Sequence, residues 1–410
     1  MCKNIKIKSF PASYGESFLV ECKSRTYTTN ILIDVGFIST AQIVIEELKK
    51  IGLRGQKLDL FIFTHIDNDH INGARKVLKE IIENRIVEVG EIWYNDYFKM
   101  IHLVESIKSS KLEECNERIL RQILNRPYPC EKGIYKKEQV GFGEAQYLEQ
   151  YLLSEDLKNV WNTSFHYGAI FIDNKLICKK INEDVSITVL NPTFQILNQQ
   201  FLEWRNYLQD NGFSEKLNDN EQLALAFEQS LISEVQRNIV VKKQDCATDN
   251  NLFEECMNYN LYDDKITNRT SISIVLEFNG KKLMFLGDAS PIELEQSINK
   301  YVEIKGEREF DLIKIPHHGS KNNWSTKLNR LVNSKKYLIA TNGKIYKHPD
   351  IETVVKLIVS PLEYTELYFN YKPKHVIELL KNIPEILEQQ YRIIWKNEET
   401  NEVDVQEIEL

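Results

Sequence analysis

Short apolar runs separated by turn-forming polar stretches open the chain. NIKIKSF, SFLVECK and TNILIDVG have the alternation or β-branched content of strands, broken by PASYGE and KSRTYT. STAQIVIEELKKIG then switches to helical spacing, with Ser39 or Thr40 as a cap and Gly52 as a stop signal. KLDLFIFTH predicts a fourth strand, INGARKVLKEII a helix, and EIWYNDYF another strand and loop. From about 98 to 158 the pattern is helical and polar, and strands return in HYGAIFI, KLICKK and SITVLNPT. A second polar helical block, 194–264, interrupts two strand-rich regions and therefore reads as an insertion within a single domain spanning 1–410. SISIVLEFNG and KKLMFLGDAS form an apolar hairpin around Asn-Gly, a strong short-range turn signal. FDLIKIPHHGS, YLIATNGK, ELYFNY and YRIIWKN supply later strands, with IETVVKLIVS and PKHVIELLKNIPEILE as helices. No solenoid period is present.

Composition narrows the class. With 42% apolar and 27% charged residues, the 410-residue chain is an ordinary folded protein rather than a disordered or fibrous one. MCKNIKIKSF lacks the apolar core of a secretory leader, and no run of about 18 apolar residues predicts a membrane span. A soluble, cytoplasmic protein is the expectation. The seven cysteines are dispersed without a CxxC pair, which argues for free thiols over a disulfide framework or zinc-thiolate knuckle. A net charge of −8 excludes a uniformly basic nucleic-acid-binding surface but leaves a local basic groove open.

The chemistry concentrates at strand ends. FIFTHIDNDHING packs His65, Asp67, Asp69 and His70 between an apolar strand and a helix, at the sheet edge where open α/β folds carry their sites. Imidazole and carboxylate are fit ligands for a divalent metal. Helix capping by Asp69 is the competing explanation, and it accounts for one aspartate at most. Asp288 follows MFL in GDAS, His317 and His318 follow a strand in IPHHGS, and His348 lies in NGKIYKHPD. His166, in WNTSFHYG, is a further candidate ligand or a group packing against the next strand. His102 and His375 lie in helical polar text and are read as structural.

The ordered series ILIDVG, FTHIDNDHING, VLNPT, NRTSISIVLEFNGKKLMFLGDAS, LIKIPHHGSKNN and NGKIYKHPD resembles the metallo-beta-lactamase superfamily, and within it the hydrolase domain of ComEC-type competence proteins and their free-standing relatives. The resemblance implies an α/β fold, the αββα sandwich, with large helical insertions at about 98–158 and 194–264. It implies two divalent metal ions at one edge, held by His65, Asp67, Asp69 and His70, by a bridging Asp288 and by His348. His317 and His318 resemble the family's paired histidines near the centre, one touching metal or phosphate, and Asp34 its aspartate that buttresses the first ligand loop. Asp67 departs from the usual histidine, although aspartate also occurs there in the competence-like branch. Its harder oxygen widens the expectation from zinc to zinc or manganese. A clear third histidine motif is absent between 75 and 285, where His166 is the one attractive candidate.

The expected reaction is hydrolysis of a phosphodiester in nucleic acid, DNA first, by metal-activated water. Asp69, His317 and His318 would carry the catalysis, with Ser320 and Lys321 contacting phosphate and Lys314 adding charge. Hydrolysis of a small phosphoester is the first rival, expected to show a narrow closed pocket. A regulatory or scaffold subunit whose insertions recruit a protein partner is the second. Nucleic-acid processing or defence against foreign DNA, together with separately encoded proteins, is the biological setting these readings suggest.

Overall fold

The computed structural model describes residues 3–104, 112–124, 148–166, 168–217, 220–234, 252–359, 364–381, 383, 389–396 and 405–410. Its strands, in chain order, are β1 (Asn4–Ser9), β2 (Phe18–Lys23), β3 (Thr28–Ile33), β4 (Leu58–Ile62), β5 (Val89–Trp93), β6 (Ile177–Lys180), β7 (Val185–Asn191) and β8 (Ser273–Phe278). They continue as β9 (Lys281–Phe285), β10 (Glu309–Phe310), β11 (Leu312–Lys314), β12 (Asn333–Ser334), β13 (Lys336–Ile339), β14 (Thr365–Phe369), β15 (Tyr391–Trp395) and β16 (Gln406–Glu409). One sheet runs β16-β1-β2-β3-β4-β5 and the other β15-β14-β13-β11-β9-β8-β7-β6, with β10 and β12 forming a separate pair. The two large sheets share a plan: antiparallel strands give way to parallel ones, at β3-β4-β5 in the first and at β9-β11-β13-β14-β15 in the second.

The period-two pattern of the strands builds three layers of core. Ile5, Ile7, Val20, Ile31, Ile33, Leu60 and Ile62 face Ile187, Val189, Ile274, Leu276 and Phe285 between the sheets. Leu19, Leu32 and Phe61, on the opposite face, pack under helices Ile38–Leu53 and Ala74–Asn84 through Val44, Leu48, Val77 and Leu78. On the far side, Val275, Ile313 and Ile339 pack under helices Pro291–Lys305 and Ile351–Ile358 through Leu294, Ile298, Val354 and Leu357. The result is an αββα sandwich. Each fully buried side chain of this kind contributes about 1.5–3 kcal/mol relative to its exposed state.

Helices from both polar blocks join the layer over the first sheet. Leu120 and Ile123 of Glu114–Leu124 share a core with Leu197, Phe201 and Trp204 of Phe194–Asp210 and with Ala224 and Phe227 of Glu221–Glu234. Parts of those blocks, 105–111, 125–147, 218–219 and 235–251, lie outside the described residues.

Several local expectations are corrected. Helix Ile38–Leu53 runs through Gly52, and neither Ser39 nor Thr40 caps it; Phe37 holds the N-cap position without a side-chain bond. Gly52 is there because a Cβ would lie 2.0 Å from the Ile86 carbonyl oxygen. HYGAIFI contributes only an isolated bridge, Ile172 to Thr193, because Ile170 and Ile172 plug the inter-sheet core without a neighbouring strand to complete a ladder. β16, in the charged C-terminal text, pairs antiparallel with β1. The hairpin behaves as read: Asn279 and Gly280 sit at φ 50° and 78°, the left-handed pair that a tight β8–β9 turn requires.

Candidate metal centre

The carboxyl ends of parallel strands from both sheets meet at one edge of the sandwich. β4 delivers His65 to His70, β9 delivers Asp288, and β11 delivers His317 and His318. The sheets are tied here: the Ile272 amide, just before β8, donates to the Thr64 carbonyl at 2.8 Å. The Ser271 hydroxyl accepts from the Asp288 amide at 3.1 Å, and Asn323 donates to the Asp288 carbonyl at 3.0 Å. Main-chain and side-chain bonds together fix where the Asp288 carboxylate stands.

That carboxylate is central. One oxygen lies 3.8 Å from His65 Nε2, 3.6 Å from His317 Nε2 and 3.8 Å from His318 Nε2. The other lies 3.4 Å from His70 Nε2. Three ligand groups with donor atoms within 4.8 Å of one another follow: His65, His70 and Asp288; Asp69, His70 and His318; and Glu16, Asp288 and His318.

Bonds from behind aim the rings. Asp34, fully buried at φ 54°, contacts His70 Nδ1 at 2.8 Å and accepts from the Thr64 amide at 2.8 Å and the Thr64 hydroxyl at 2.6 Å. His70 Nδ1 therefore carries a proton toward Asp34, and Nε2 is left facing Asp288. His318 Nδ1 lies 3.1 Å from the Ala340 carbonyl and 3.0 Å from Glu16, which leaves Nε2 facing Asp69 at 3.1 Å. His317 is the solvent-side member of the pair, 27% exposed against 2% for His318. Its Nδ1 is held by Asp263 at 3.1 Å and Asn323 at 3.0 Å.

The electrostatics favour added positive charge. Six carboxylates gather here, Glu16, Asp34, Asp67, Asp69, Asp263 and Asp288, against two ammonium groups, Lys265 on Asp67 and Lys314 on Glu16, so with neutral imidazoles and ionised acids four negative charges remain unbalanced. Burial disfavours charge on His70, His317 and His318, yet the carboxylates outweigh it. Asp288 and Asp34 hold the His70 pKa well above its usual range, and Glu16 and Asp288 push His318 up to about 10. Conversely, burial would raise Asp288, but His70, His317 and His318 hold it well below the carboxylate range. Protons on the imidazoles occupy the role a cation would fill.

The donor set fits a divalent ion. His65 Nε2, Asp67 Oδ1, His70 Nε2 and Asp288 Oδ1 are buried without a hydrogen-bond partner, the pattern of ligand atoms aimed at an ion rather than of a satisfied core. Helix capping does not account for the acids. Asp67 is the N-cap of helix Asn68–Ile71 but its side chain makes no cap bond, and the Asp69 carboxylate points to His318.

A family model of the metallo-beta-lactamase superfamily matches residues 12–101, the segment from the end of β1 through the first ligand loop to beyond β5. This is the metallo-beta-lactamase fold. The superfamily consists mostly of metal-dependent hydrolases, and at that coarse level the match and the cluster agree. No curated protein matches the chain.

Within the metallo-beta-lactamase fold, the predicted residues do not all converge. His65, Asp67, Asp69, His70, Asp288, His317 and His318 do. His348 stands beside them, its ring 5.4 Å from that of His317, with Nδ1 3.5 Å from Asp350, and belongs to none of the three ligand groups. His166 is exposed, at φ 55°, and also lies outside those groups. Ser320 is buried and accepts from the Asn322 amide at 3.3 Å. Lys314 is buried against Glu16 at the rear of the cluster, and Lys321 bonds Glu352 at 2.7 Å and lies over the Tyr259 ring, so the Lys321 ammonium does not point at the centre. Lys265 does, pairing with Asp67. Glu16, Asp263, Lys265 and Asn323 sit in turn-like polar text, and nothing in their sequence spacing announces the site.

No helix among the described residues is long and apolar enough to cross a membrane. Cys22, Cys115, Cys178 and Cys256 are free thiols.

Proposed function

We propose that the protein is a metal-dependent phosphodiesterase acting on nucleic acid, DNA first, and that Asp69, His70, Asp288 and His318 hold the principal divalent ion, zinc or manganese. The observation that carries the reading is the Asp288 carboxylate, buried and facing four imidazoles at 3.4–3.8 Å from loops of both sheets. A bound ion would supply a water acidified toward neutral pH and would neutralise charge on the phosphoryl oxygens.

The protein's own groups divide the remaining work. His317, partly exposed and anchored by Asp263 and Asn323, is the proton donor to the leaving oxygen. Burial lowers its pKa, but Asp288 and Asp263 more than offset this and favour the protonated ring. Asp69, at the open side of the cluster, orients the attacking water by accepting its hydrogen. Asp34 holds His70 in the tautomer that leaves Nε2 available.

The loop before His348 supports a polynucleotide substrate. Tyr346 stacks on the His348 ring at 6.1 Å and 18°, and Tyr14 meets Tyr346 edge-on at 5.5 Å. Lys344, Tyr346 and Lys347 are exposed beside the centre, an aromatic face flanked by positive charge that suits an unstacked base and its backbone. The motif resemblance to the ComEC-type branch points the same way.

The test is cleavage of labelled single- and double-stranded DNA and RNA with manganese, zinc or magnesium. Metal-dependent cleavage of DNA, lost in Asp69→Ala and Asp288→Ala and weakened in Tyr346→Ala, is expected. Cleavage confined to a small diester such as bis(p-nitrophenyl) phosphate would replace the polynucleotide with the small-phosphoester reading. Absence of hydrolysis by protein carrying its ion would refute the enzymatic one.

A further inference from the structure

Asp67 is buried at 4% exposure, and one of its oxygens is bonded to the Lys265 ammonium, which enters from the segment preceding β8. Its other oxygen has no hydrogen-bond partner. Burial would raise its pKa, but Lys265 and His65 hold it far below the carboxylate range. A positive charge is thus already seated on the acid that stands where the superfamily pattern has histidine. The two residues explain each other. A neutral imidazole at position 67 offers an ammonium no counter-charge, whereas a carboxylate does.

On the basis of the metal-centre reading above, we propose that the Lys265 ammonium occupies the cation position on Asp67, so that the protein takes up one divalent ion strongly and a second only when Lys265 withdraws. Asp67 belongs to none of the three ligand groups, whereas Asp69, His70, Asp288 and His318 supply most of their members and His65 joins one of them through His70 and Asp288. The strong position lies among Asp69, His70, Asp288 and His318, and the weak one between His65 Nε2 and Asp67, 3.7 Å apart. An ion there meets a cation in contact with the same carboxylate, and the like charges repel. Withdrawal is sterically open, because the Lys265 side chain is 34% exposed. While it stays, the ammonium gives the site a fixed positive charge that requires no loading, suited to a phosphoryl oxygen on the side away from the ion.

Equilibrium dialysis of metal-free protein against zinc and, separately, manganese, with metal counted by mass spectrometry, tests this without reference to catalysis. Wild type is expected to take up one equivalent, with a second only at far higher free metal. Lys265→Gln is expected to gain the second equivalent at free metal lower by at least about tenfold, the scale of one charge–charge interaction in a partly screened site. Lys265→Arg, which keeps the charge, should stay at one equivalent, and thermal melting confirms that each variant is folded. Asp67→Asn should lose the weak position and keep the strong one. Two equivalents of indistinguishable affinity in wild type, or an unchanged stoichiometry in folded Lys265→Gln, overturn this inference and leave the metal centre standing. Uptake of no ion by wild type overturns both.

Discussion

Replacing Asp34 separates the ion-binding side of the centre from its support. Its two oxygens accept from the Thr64 amide at 2.8 Å and the Thr64 hydroxyl at 2.6 Å, and meet His70 Nδ1 at 2.8 Å, all buried. Alanine would strand three buried donors at roughly 1–3 kcal/mol each. The sum, about 3–6 kcal/mol after partial relaxation, is a large share of the roughly 5–15 kcal/mol that holds a domain together, so Asp34→Ala is expected to unfold readily. Asparagine keeps the shape and one acceptor, so the stability loss should fall to about 1–3 kcal/mol. What asparagine cannot keep is the charge that fixes the proton on His70 Nδ1. Loss of such a supporting carboxylate lowers ion affinity about 10–100-fold. Urea unfolding of the metal-free protein measures the first effect, and zinc titration against a competing chelating dye measures the second. Folded Asp34→Asn that binds zinc with wild-type affinity would refute the claim that Asp34 prepares His70 for an ion.

Three further outcomes follow from the same geometry. Asp288→Ala and Asp69→Ala are expected to abolish hydrolysis while retaining the fold, and Asp288→Ala to abolish ion uptake as well; circular dichroism and metal counting distinguish these from unfolding. The metal-free protein should lose stability as pH rises: the folded state keeps the His318 proton up to about 10 against an ordinary 6.5, so this contribution is complete below 6.5 and is lost on approach to 10. Thermal melting in chelator at intervals between those limits measures it, and a rise in stability over the window would contradict the reading. Gly15→Ala should impair ion uptake, because at this buried position the added Cβ would lie 2.0 Å from the Asp69 carbonyl oxygen and push the ligand loop aside.

Much of the sandwich was legible because its strands alternate, its hairpin uses Asn-Gly, and its helices carry spaced apolar faces. What misled was local chemistry under tertiary control. Gly52 looks like a helix stop and is instead a contact point for Ile86, and HYGAIFI has strand composition but, among the described residues, only an isolated bridge at Ile172. The strand Gln406–Glu409 was hidden by its charges, since alternate residues face solvent at the sheet edge. At the centre, histidines and aspartates stood out because such clusters are rare beside apolar runs. Glu16, Lys265 and Asn323 did not, because an ordinary polar residue becomes part of a site only when distant loops are folded against it. Lys321 stood close in sequence, yet Glu352 turns it away.

Loops of both sheets converge on Asp288 in a geometry that suits a bound cation. Crystals grown with manganese or zinc, measured on either side of the metal absorption edge, test it most directly. An anomalous peak bounded by the Asp288 and Asp69 carboxylates and by Nε2 of His70 and His318 is expected. A metal-bearing crystal with its peak elsewhere and nothing between those four groups would contradict it.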